Sequence, residues 1–93
     1  MSAYIIVDFT TKDIEQLKLY GAGTPATLAQ YGGEFLVKGS IQPLHGGSHY
    51  ETKVIIEFTS RADAIGWYES PEYQQLIAIR EQGMDCQFHL VGE

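Results

Sequence analysis

Short apolar runs rich in β-branched and aromatic residues alternate along this chain with stretches whose apolar residues recur every three or four positions. The short runs predict four strands, at residues 4–9, 34–39, 53–58 and 86–91. The stretches between the first two and the last two strands predict helices. A Gly-rich segment, residues 43–50, separates the second and third strands and predicts a hairpin loop.

Both helical stretches contain a hydroxyl residue followed by proline, a pair that suits the N-cap and the first helical position. In the first stretch, residues 10–11 are the predicted cap, residues 21–23 a predicted break and residues 24–25 a predicted restart. In the second stretch, Ser60 is the predicted cap and residues 70–71 the predicted restart. We therefore expect each stretch to form a helix that is interrupted once.

Two halves of the chain resemble each other. Residues 6–10 (IVDFT) match residues 55–59 (IIEFT), and each match leads into a helix and a hydroxyl-proline restart. The order is β-α-β-β-α-β, which is the ferredoxin-like pattern. We predict one α+β domain, residues 1–93, with a four-stranded antiparallel sheet, and duplication explains the matched halves better than chance.

Alternation along the strands predicts two unlike faces of the sheet. One is almost wholly apolar and is assigned to the helices: Ile5, Val7, Phe9, Phe35, Val37, Val54, Ile56, Phe58, Phe88 and Leu90. The other is mixed: Ile6, Asp8, Leu36, Lys38, Ile55, Glu57, Gln87, His89 and Val91. A second sheet packed on the mixed face would suit both its aliphatic and its charged residues, so we predict a homodimer closed by symmetry.

The mixed face carries two acidic residues at matched positions of the repeat, Asp8 and Glu57. With the first and third strands taken as parallel neighbours at the centre of the sheet, these carboxylates are expected to lie close together. They would then shape or protonate a ligand, as candidate catalytic groups. The competing interpretation, which we favour, is that Lys38, Lys53 or a partner chain neutralises them, or that they are solvated at the strand ends.

The net charge and composition limit the classes of partner that we expect. The 93 residues carry a net charge of −6, and the few basic residues are scattered. Nucleic acid and anionic membranes are therefore not expected as partners. Cys86 is a single cysteine, so no internal disulfide is possible. No leader-like or membrane-spanning segment is recognised, and a cytoplasmic location is the default expectation.

Several segments resemble the domain-of-unknown-function family 1330. They are residues 4–9 (YIIVDF), 24–33 (TPATLAQYGG), 35–39 (FLVKG) and especially 67–74 (WYESPEYQ). The resemblance implies membership of the dimeric α+β barrel superfamily, whose ferredoxin-like chains pair sheet to sheet. That superfamily includes cofactor-free monooxygenases, lactone isomerases, haem enzymes, stress-responsive proteins and ligand-binding regulators, so it does not supply a reaction. The family usually has Arg where this chain has Lys38.

Candidate ligand-binding residues come from the aromatic helices and from isolated cations. They are Tyr20, Lys38, Trp67, Tyr68, Tyr73 and Arg80. Aromatic rings with polar tips suit a small organic, enol or aromatic ligand. Core packing is the alternative for each aromatic residue. Arg80 would anchor a ligand carboxylate, and its alternatives are interaction with the helix dipole or pairing with Glu81 near the end of its helix.

Two histidines, His45 and His49, lie in the Gly-rich loop. With no third ligand near in sequence, they do not predict a metal site. His45 stays a candidate loop acid or base, because histidine titrates near neutral pH. Residues 21–26 match G-x-G-x-x-A but follow a helix, so no dinucleotide site is predicted. We expect no cofactor.

Three functions remain open: a small cofactor-free enzyme acting on an organic metabolite, a non-catalytic ligand-binding module, and an assembly domain. A preformed pocket with a perturbed titratable residue would indicate the first. A pocket without such a residue would indicate the second. An assembly domain should show no pocket above ~300 Å³.

Overall fold

The protein was analysed as a computed structural model that describes residues 2–93. Its elements, in chain order, are β1 (Ala3–Thr11), α1 (Ile14–Ala29), β2 (Glu34–Ser40), β3 (Thr52–Phe58), α2 (Arg61–Glu69), α3 (Pro71–Gln74), α4 (Ile77–Gly83) and β4 (Met84–Gly92). The four strands form one antiparallel sheet in the order β2-β3-β1-β4. The predicted ferredoxin-like β-α-β-β-α-β order is confirmed.

Helix α1 begins later than predicted and is not interrupted. β1 continues through Thr11, so Asp13 is the N-cap, and its Oδ1 accepts hydrogen bonds from the backbone N–H groups of Glu15 (3.0 Å) and Gln16 (3.3 Å). The predicted cap at residues 10–11 is therefore wrong.

The predicted break at residues 21–23 is also wrong, because α1 runs through them with Pro25 inside the helix. Tyr20, Thr24, Thr27 and Leu28 form one buried face of α1, and Thr24 Oγ1 donates a hydrogen bond to the Tyr20 carbonyl at 2.8 Å. Packing of this face outweighs the weak helix propensity of Gly and Pro. By contrast, the predicted cap at Ser60 and restart at Ser70 are both confirmed, since Ser60 Oγ accepts from Asp63 N–H and Ser70 Oγ from Tyr73 N–H. The second stretch is interrupted twice and not once, because α3 ends at Gln74 and α4 begins at Ile77.

The core lies between the helices and one face of the sheet, as the alternation predicts. Ile5, Val7 and Phe9 of β1 are buried, as are Val54, Ile56 and Phe58 of β3. Trp67 and Tyr73 are fully buried among them, and Trp67 Nε1 donates to Thr27 Oγ1 at 3.0 Å. These helix aromatics therefore fill the core and fasten α2 and α3 to α1.

The strand register corrects the expected meeting of Asp8 and Glu57. β1 and β3 are antiparallel, because the crossover through α1 makes β2 parallel to β1 and the hairpin then reverses β3. Asp8 pairs with Lys53, whereas Glu57 pairs with Tyr4 near the other end of both strands. The two acids share a face but not a site. The Tyr4 hydroxyl donates to Glu57 Oε2 at 3.3 Å.

A β-bulge at Leu36 changes the faces of the rest of β2. Phe35 pairs with Ile56 on the helix side, but Val37 pairs with Ile55 and Lys38 with Val54. Because directly opposed residues share a face, the extra residue turns Val37 to the open face and Lys38 to the helix face. The predicted faces of these two residues are therefore wrong.

The molecule is a slab of 31 × 31 × 16 Å, with a sheet layer and a helix layer. No helix of residues 2–93 covers the far face of the sheet, which we call the open face; it carries Ile6, Asp8, Ile55 and Glu57, and the loop between β2 and β3 lies beside Asp8. Within the same residues, no helix has the length and apolarity needed to cross a membrane.

Candidate functional site

A cleft of about 410 Å³ separates α1 from the sheet on the side of β2. Its walls are mainly apolar and include Val7, Phe9, Leu17, Val54, Ile56 and Phe88. Phe35 and Leu36 of β2 also line the cleft and are about half exposed, so the cleft opens to solvent along this strand. Its volume and apolar lining fall in the range of small-molecule sites.

Three polar side chains, Tyr20, Thr24 and Lys38, also line the cleft. The hydroxyl of Thr24 is already used by the Tyr20 carbonyl. Lys38 reaches the cleft because of the bulge at Leu36, and among residues 2–93 no carboxylate lies within 4.0 Å of its ammonium group. Tyr20 and Lys38, both predicted as ligand-binding residues, are thus brought to one cleft.

Tyr20 belongs to a buried chain of polar groups that leads away from the cleft. Its hydroxyl oxygen lies 2.7 Å from that of Tyr73. Arg80 Nη1 donates to the hydroxyls of Tyr73 (3.1 Å) and Tyr68 (2.9 Å), and Arg80 Nε pairs with Glu81 Oε2 at 3.0 Å. The guanidinium also stacks over the ring of Phe88, with its central carbon 4.9 Å from the ring centroid.

Burial sets the charge state of this network. It raises the pKa of the Tyr20 phenol, with the neighbouring Tyr73 acting in the same direction. It also raises the pKa of Tyr73, although the hydrogen bonds that Tyr73 makes with Tyr20 and Arg80 oppose that shift. Burial alone would lower the pKa of Arg80, but its bonds to the tyrosines and Glu81 raise it overall. At neutral pH Tyr20 and Tyr73 are therefore neutral phenols, and Arg80 beside them is a cation.

The other predicted ligand-binding residues do not line the cleft. Trp67 and Tyr73 are fully buried, and Tyr68 lines a separate surface hollow with Ile65. Arg80 pairs with Glu81, which confirms its alternative interpretation, and it also bonds two tyrosine hydroxyls. These positions fit core packing and network formation.

A second, polar depression of about 360 Å³ lies on the open face, below the loop that joins β2 to β3. Its lining, which we call the polar basin, includes Asp8, Lys53 and Gln87 from the strands and His45, His49 and Tyr50 from the loop. The candidate catalytic residues Asp8 and His45 therefore meet here, without Glu57. The sheet separates them from the cleft.

Asp8 is held as an anion in the basin. Gln87 Nε2 donates to its Oδ2 at 3.0 Å, and Lys53 Nζ lies 3.0 Å from its Oδ1, off the hydrogen-bonding direction, as an ion pair. Burial raises the pKa of the Asp8 carboxyl, but Gln87, Lys53 and His89 together lower it below its ordinary value. A carboxylate with a lowered pKa is a poor proton acceptor at neutral pH.

His45 and His49 of the polar basin do not form a metal site with Asp8. Among residues 2–93, no three His, Cys, Asp or Glu side chains are grouped closely enough to hold a metal ion.

Sequence reasoning missed three residues of these two sites: Thr24 and Phe88 in the cleft, and Gln87 as a partner of Asp8. The expected neutralisation of Asp8 by Lys53 is confirmed. An antiparallel register would have found Gln87, because Asp8 pairs directly with it on β4. No sequence signal marks Thr24, whose place depends on the unbroken α1.

The sequence matches the family model described as Domain of unknown function (DUF1330) over residues 2–93. The chain belongs to the DUF1330 family. No curated protein matches this DUF1330 chain in sequence.

Solved structures similar to this DUF1330 chain include proteins described as ferredoxin-like. A protein of unknown function from Rhodopseudomonas palustris superposes with a TM-score of 0.80 at 16% identity, covering 99% of this chain and 82% of that one. A dimeric ferredoxin-like protein of unknown function from Jannaschia sp. CCS1 gives a TM-score of 0.76 at 13% identity, covering 100% of both chains.

SnoaB, a cofactor-independent oxygenase from Streptomyces nogalater, gives a TM-score of 0.68 at 14% identity, covering 99% of this chain and 92% of SnoaB. At such identities these similarities establish the fold and leave the function unresolved.

Proposed function

We propose that this protein binds a small, mainly apolar organic molecule in the cleft between α1 and the sheet. The observation that carries the proposal is the cleft itself, whose volume of about 410 Å³ exceeds the ~300 Å³ expected of a ligand site. Its walls favour an apolar body, and Tyr20 and Lys38 supply polar contacts. An assembly domain has no need of such a cleft.

Catalysis on the bound molecule, without a cofactor, is the second candidate function. It is favoured by the fold shared with SnoaB, described as a cofactor-independent oxygenase. In this proposal Tyr20 acts as a hydrogen-bond donor, because a phenol with a raised pKa keeps its proton at neutral pH. Asp8, Glu57 and His45 are not assigned to this ligand, because Asp8 and Glu57 lie on the open face of the sheet and His45 lines the basin there.

We also propose that the protein is a homodimer formed through the open face. Two of the similar structures are described as dimeric ferredoxin-like proteins. On the open face, Asp8 is paired within the chain with Lys53 and Gln87, whereas Glu57 accepts from the Tyr4 hydroxyl and lies opposite the exposed Glu34 at one end of the strands. The aliphatic residues between these two acids are left for contact with a second sheet. The cytoplasmic location stays a prediction from the sequence.

Filling the cleft tests the binding proposal. Gly21 lines the cleft, and a Cβ atom added there would meet nothing within 4 Å. Gly21→Leu therefore places a side chain at the cleft without a backbone clash, and it also improves helix propensity by roughly 1 kcal/mol. Ala22→Leu, at the exposed next position of α1, is the matched control.

The measurement is a thermal-shift screen followed by calorimetric titration. The ligands are bicyclic and tricyclic ketones and the hydrocarbons of the same shape: indanone and indane, tetralone and tetralin, anthrone and dihydroanthracene. We expect a member of the set to raise the melting temperature of the wild type and of Ala22→Leu but not of Gly21→Leu. No binding by the wild type, or equal binding by Gly21→Leu, would overturn the proposal.

A further inference from the structure

The hydrogen bonds between Arg80, Tyr73 and Tyr20 have a direction. A guanidinium group donates hydrogen bonds and accepts none. Arg80 Nη1 lies 3.1 Å from the Tyr73 hydroxyl, so Tyr73 is the acceptor of that bond. Burial raises the pKa of Tyr73, so its hydroxyl keeps a hydrogen of its own to donate.

Tyr20 is the acceptor for that hydrogen. Among residues 2–93, the Tyr73 hydroxyl has two polar contacts, Arg80 and Tyr20, and only Tyr20 can accept. If Tyr20 donated instead, the Tyr73 hydrogen would be left without a partner in a side chain that is 0% exposed. An unsatisfied buried donor costs about 1–3 kcal/mol. The hydrogen bonds therefore run from Arg80 to Tyr73 and from Tyr73 to Tyr20.

The hydrogen of Tyr20 then has no acceptor within the described chain, and Tyr20 borders the cleft. The structure assigns it a role there: we propose that the Tyr20 hydroxyl donates a hydrogen bond to an acceptor oxygen of the ligand. Arg80 is a positioning residue that acts through Tyr73. A chain of such bonds also polarises its last donor, which strengthens it.

The direction of these hydrogen bonds defines the class of ligand, and this inference rests on the proposed function of the cleft. Apolar walls with a phenol donor at Tyr20 and an ammonium donor at Lys38 suit a mainly apolar ketone, or the enolate or phenolate derived from one. A hydrocarbon of the same shape fills the walls but leaves the Tyr20 hydrogen unpaired. The cleft should therefore discriminate between a ketone and the hydrocarbon that matches it.

Tyr20→Phe tests this assignment on the ketone and hydrocarbon pairs named above. We expect the variant to bind the ketones about tenfold more weakly than the wild type does and the hydrocarbons about equally well. Tyr68→Phe is the matched control, because it removes another hydroxyl bonded to Arg80 but does not line the cleft. It should keep the wild-type preference for ketones.

Infrared spectroscopy of the bound ketone supplies a readout that does not depend on a variant. A hydrogen bond from Tyr20 should lower the carbonyl stretching frequency below its value in an apolar solvent, and Tyr20→Phe should abolish that shift. An unshifted carbonyl frequency in the wild type overturns the inference. Equal weakening of ketone and hydrocarbon binding by Tyr20→Phe also overturns it. In both cases the proposal that the cleft binds a ligand is retained. If neither ligand of any pair binds the wild type, the proposed function fails and the inference fails with it.

Discussion

Lys53 Nζ lies 3.0 Å from Asp8 Oδ1, and the two residues face each other directly across β3 and β1. Gln87 stands opposite Asp8 on the other side, on β4, and donates to Oδ2. The carboxylate is thus held between its two cross-strand neighbours. Because Asp8 is only 8% exposed, these contacts are less screened than those of a surface pair.

We expect this arrangement to make stability depend on pH in acid. The pKa of Asp8 is lowered in the folded state from 3.8, so its contribution to stability is fully present above 3.8. That contribution is lost as the pH falls through the lower, folded pKa. Asp8→Asn should reduce the free energy of unfolding by about 1–2 kcal/mol near pH 7. The difference from wild type should shrink as the pH falls below 3.8.

Urea unfolding of both proteins across this pH range measures the difference. Asp85→Asn is the control, since it removes an exposed carboxylate from β4, the strand that pairs with β1 beside Asp8. It should change stability by no more than about 0.5 kcal/mol at neutral pH. A difference between wild type and Asp8→Asn that stays constant down to the acid limit would contradict the linkage.

Arg80 provides a second prediction, because its side chain makes contacts that lysine cannot reproduce. Nη1 bonds two tyrosine hydroxyls, Nε pairs with Glu81 and the planar group stacks over Phe88. Arg80→Lys keeps the charge but loses the fork of donors and the stacking. We expect a loss of about 2–3 kcal/mol in the free energy of unfolding, measured in urea at one fixed protein concentration.

Arg61→Lys is the matched control for this prediction. Arg61 is exposed, and its Nη1 donates to the Gly92 carbonyl at 2.7 Å. Because that contact lies in solvent, the control should lose less than about 1 kcal/mol. Equal losses in the two variants would mean that the buried network contributes little to stability.

Much of the fold can be predicted from the local sequence pattern. The errors in the predicted elements arise where packing against a neighbouring element determines the structure. The alternation of Ile5, Val7 and Phe9 marks β1, and Ser70 followed by Pro71 marks the start of α3. The same kind of signal at Thr24 failed, because packing of α1 on the core keeps the helix continuous. Local chemistry is the same at both places, and only tertiary contact distinguishes them.

The candidate site was predicted only in part, again because its geometry depends on neighbouring elements. Tyr20 and Lys38 were found by residue type, but the cleft that joins them depends on a bulge at Leu36. A bulge has no reliable sequence mark, and it reverses the face of every later residue of its strand. Asp8 and Glu57 were placed together by an error of strand direction, which topology and not residue type controls.

The bulge also brings three aliphatic residues side by side on the open face, and these carry the dimer prediction. Val37 pairs with Ile55, and Ile55 pairs with Ile6, so they form a row across β2, β3 and β1. In an isolated chain this row would meet water. At the centre of a symmetric interface it would meet its own copy, which makes the contact self-complementary.

Ile55→Lys should therefore dissociate the dimer without unfolding the chain. Ile55 is only half-buried in the single chain, so a lysine there can extend into solvent in a monomer, whereas a dimer would bury two like charges near its centre. Light scattering at micromolar concentration should give twice the 10.4 kDa chain mass for the wild type and the chain mass for the variant. Ile65→Lys, on the exposed side of α2, should stay dimeric. A wild type with the mass of one chain would show that the open face is not an interface.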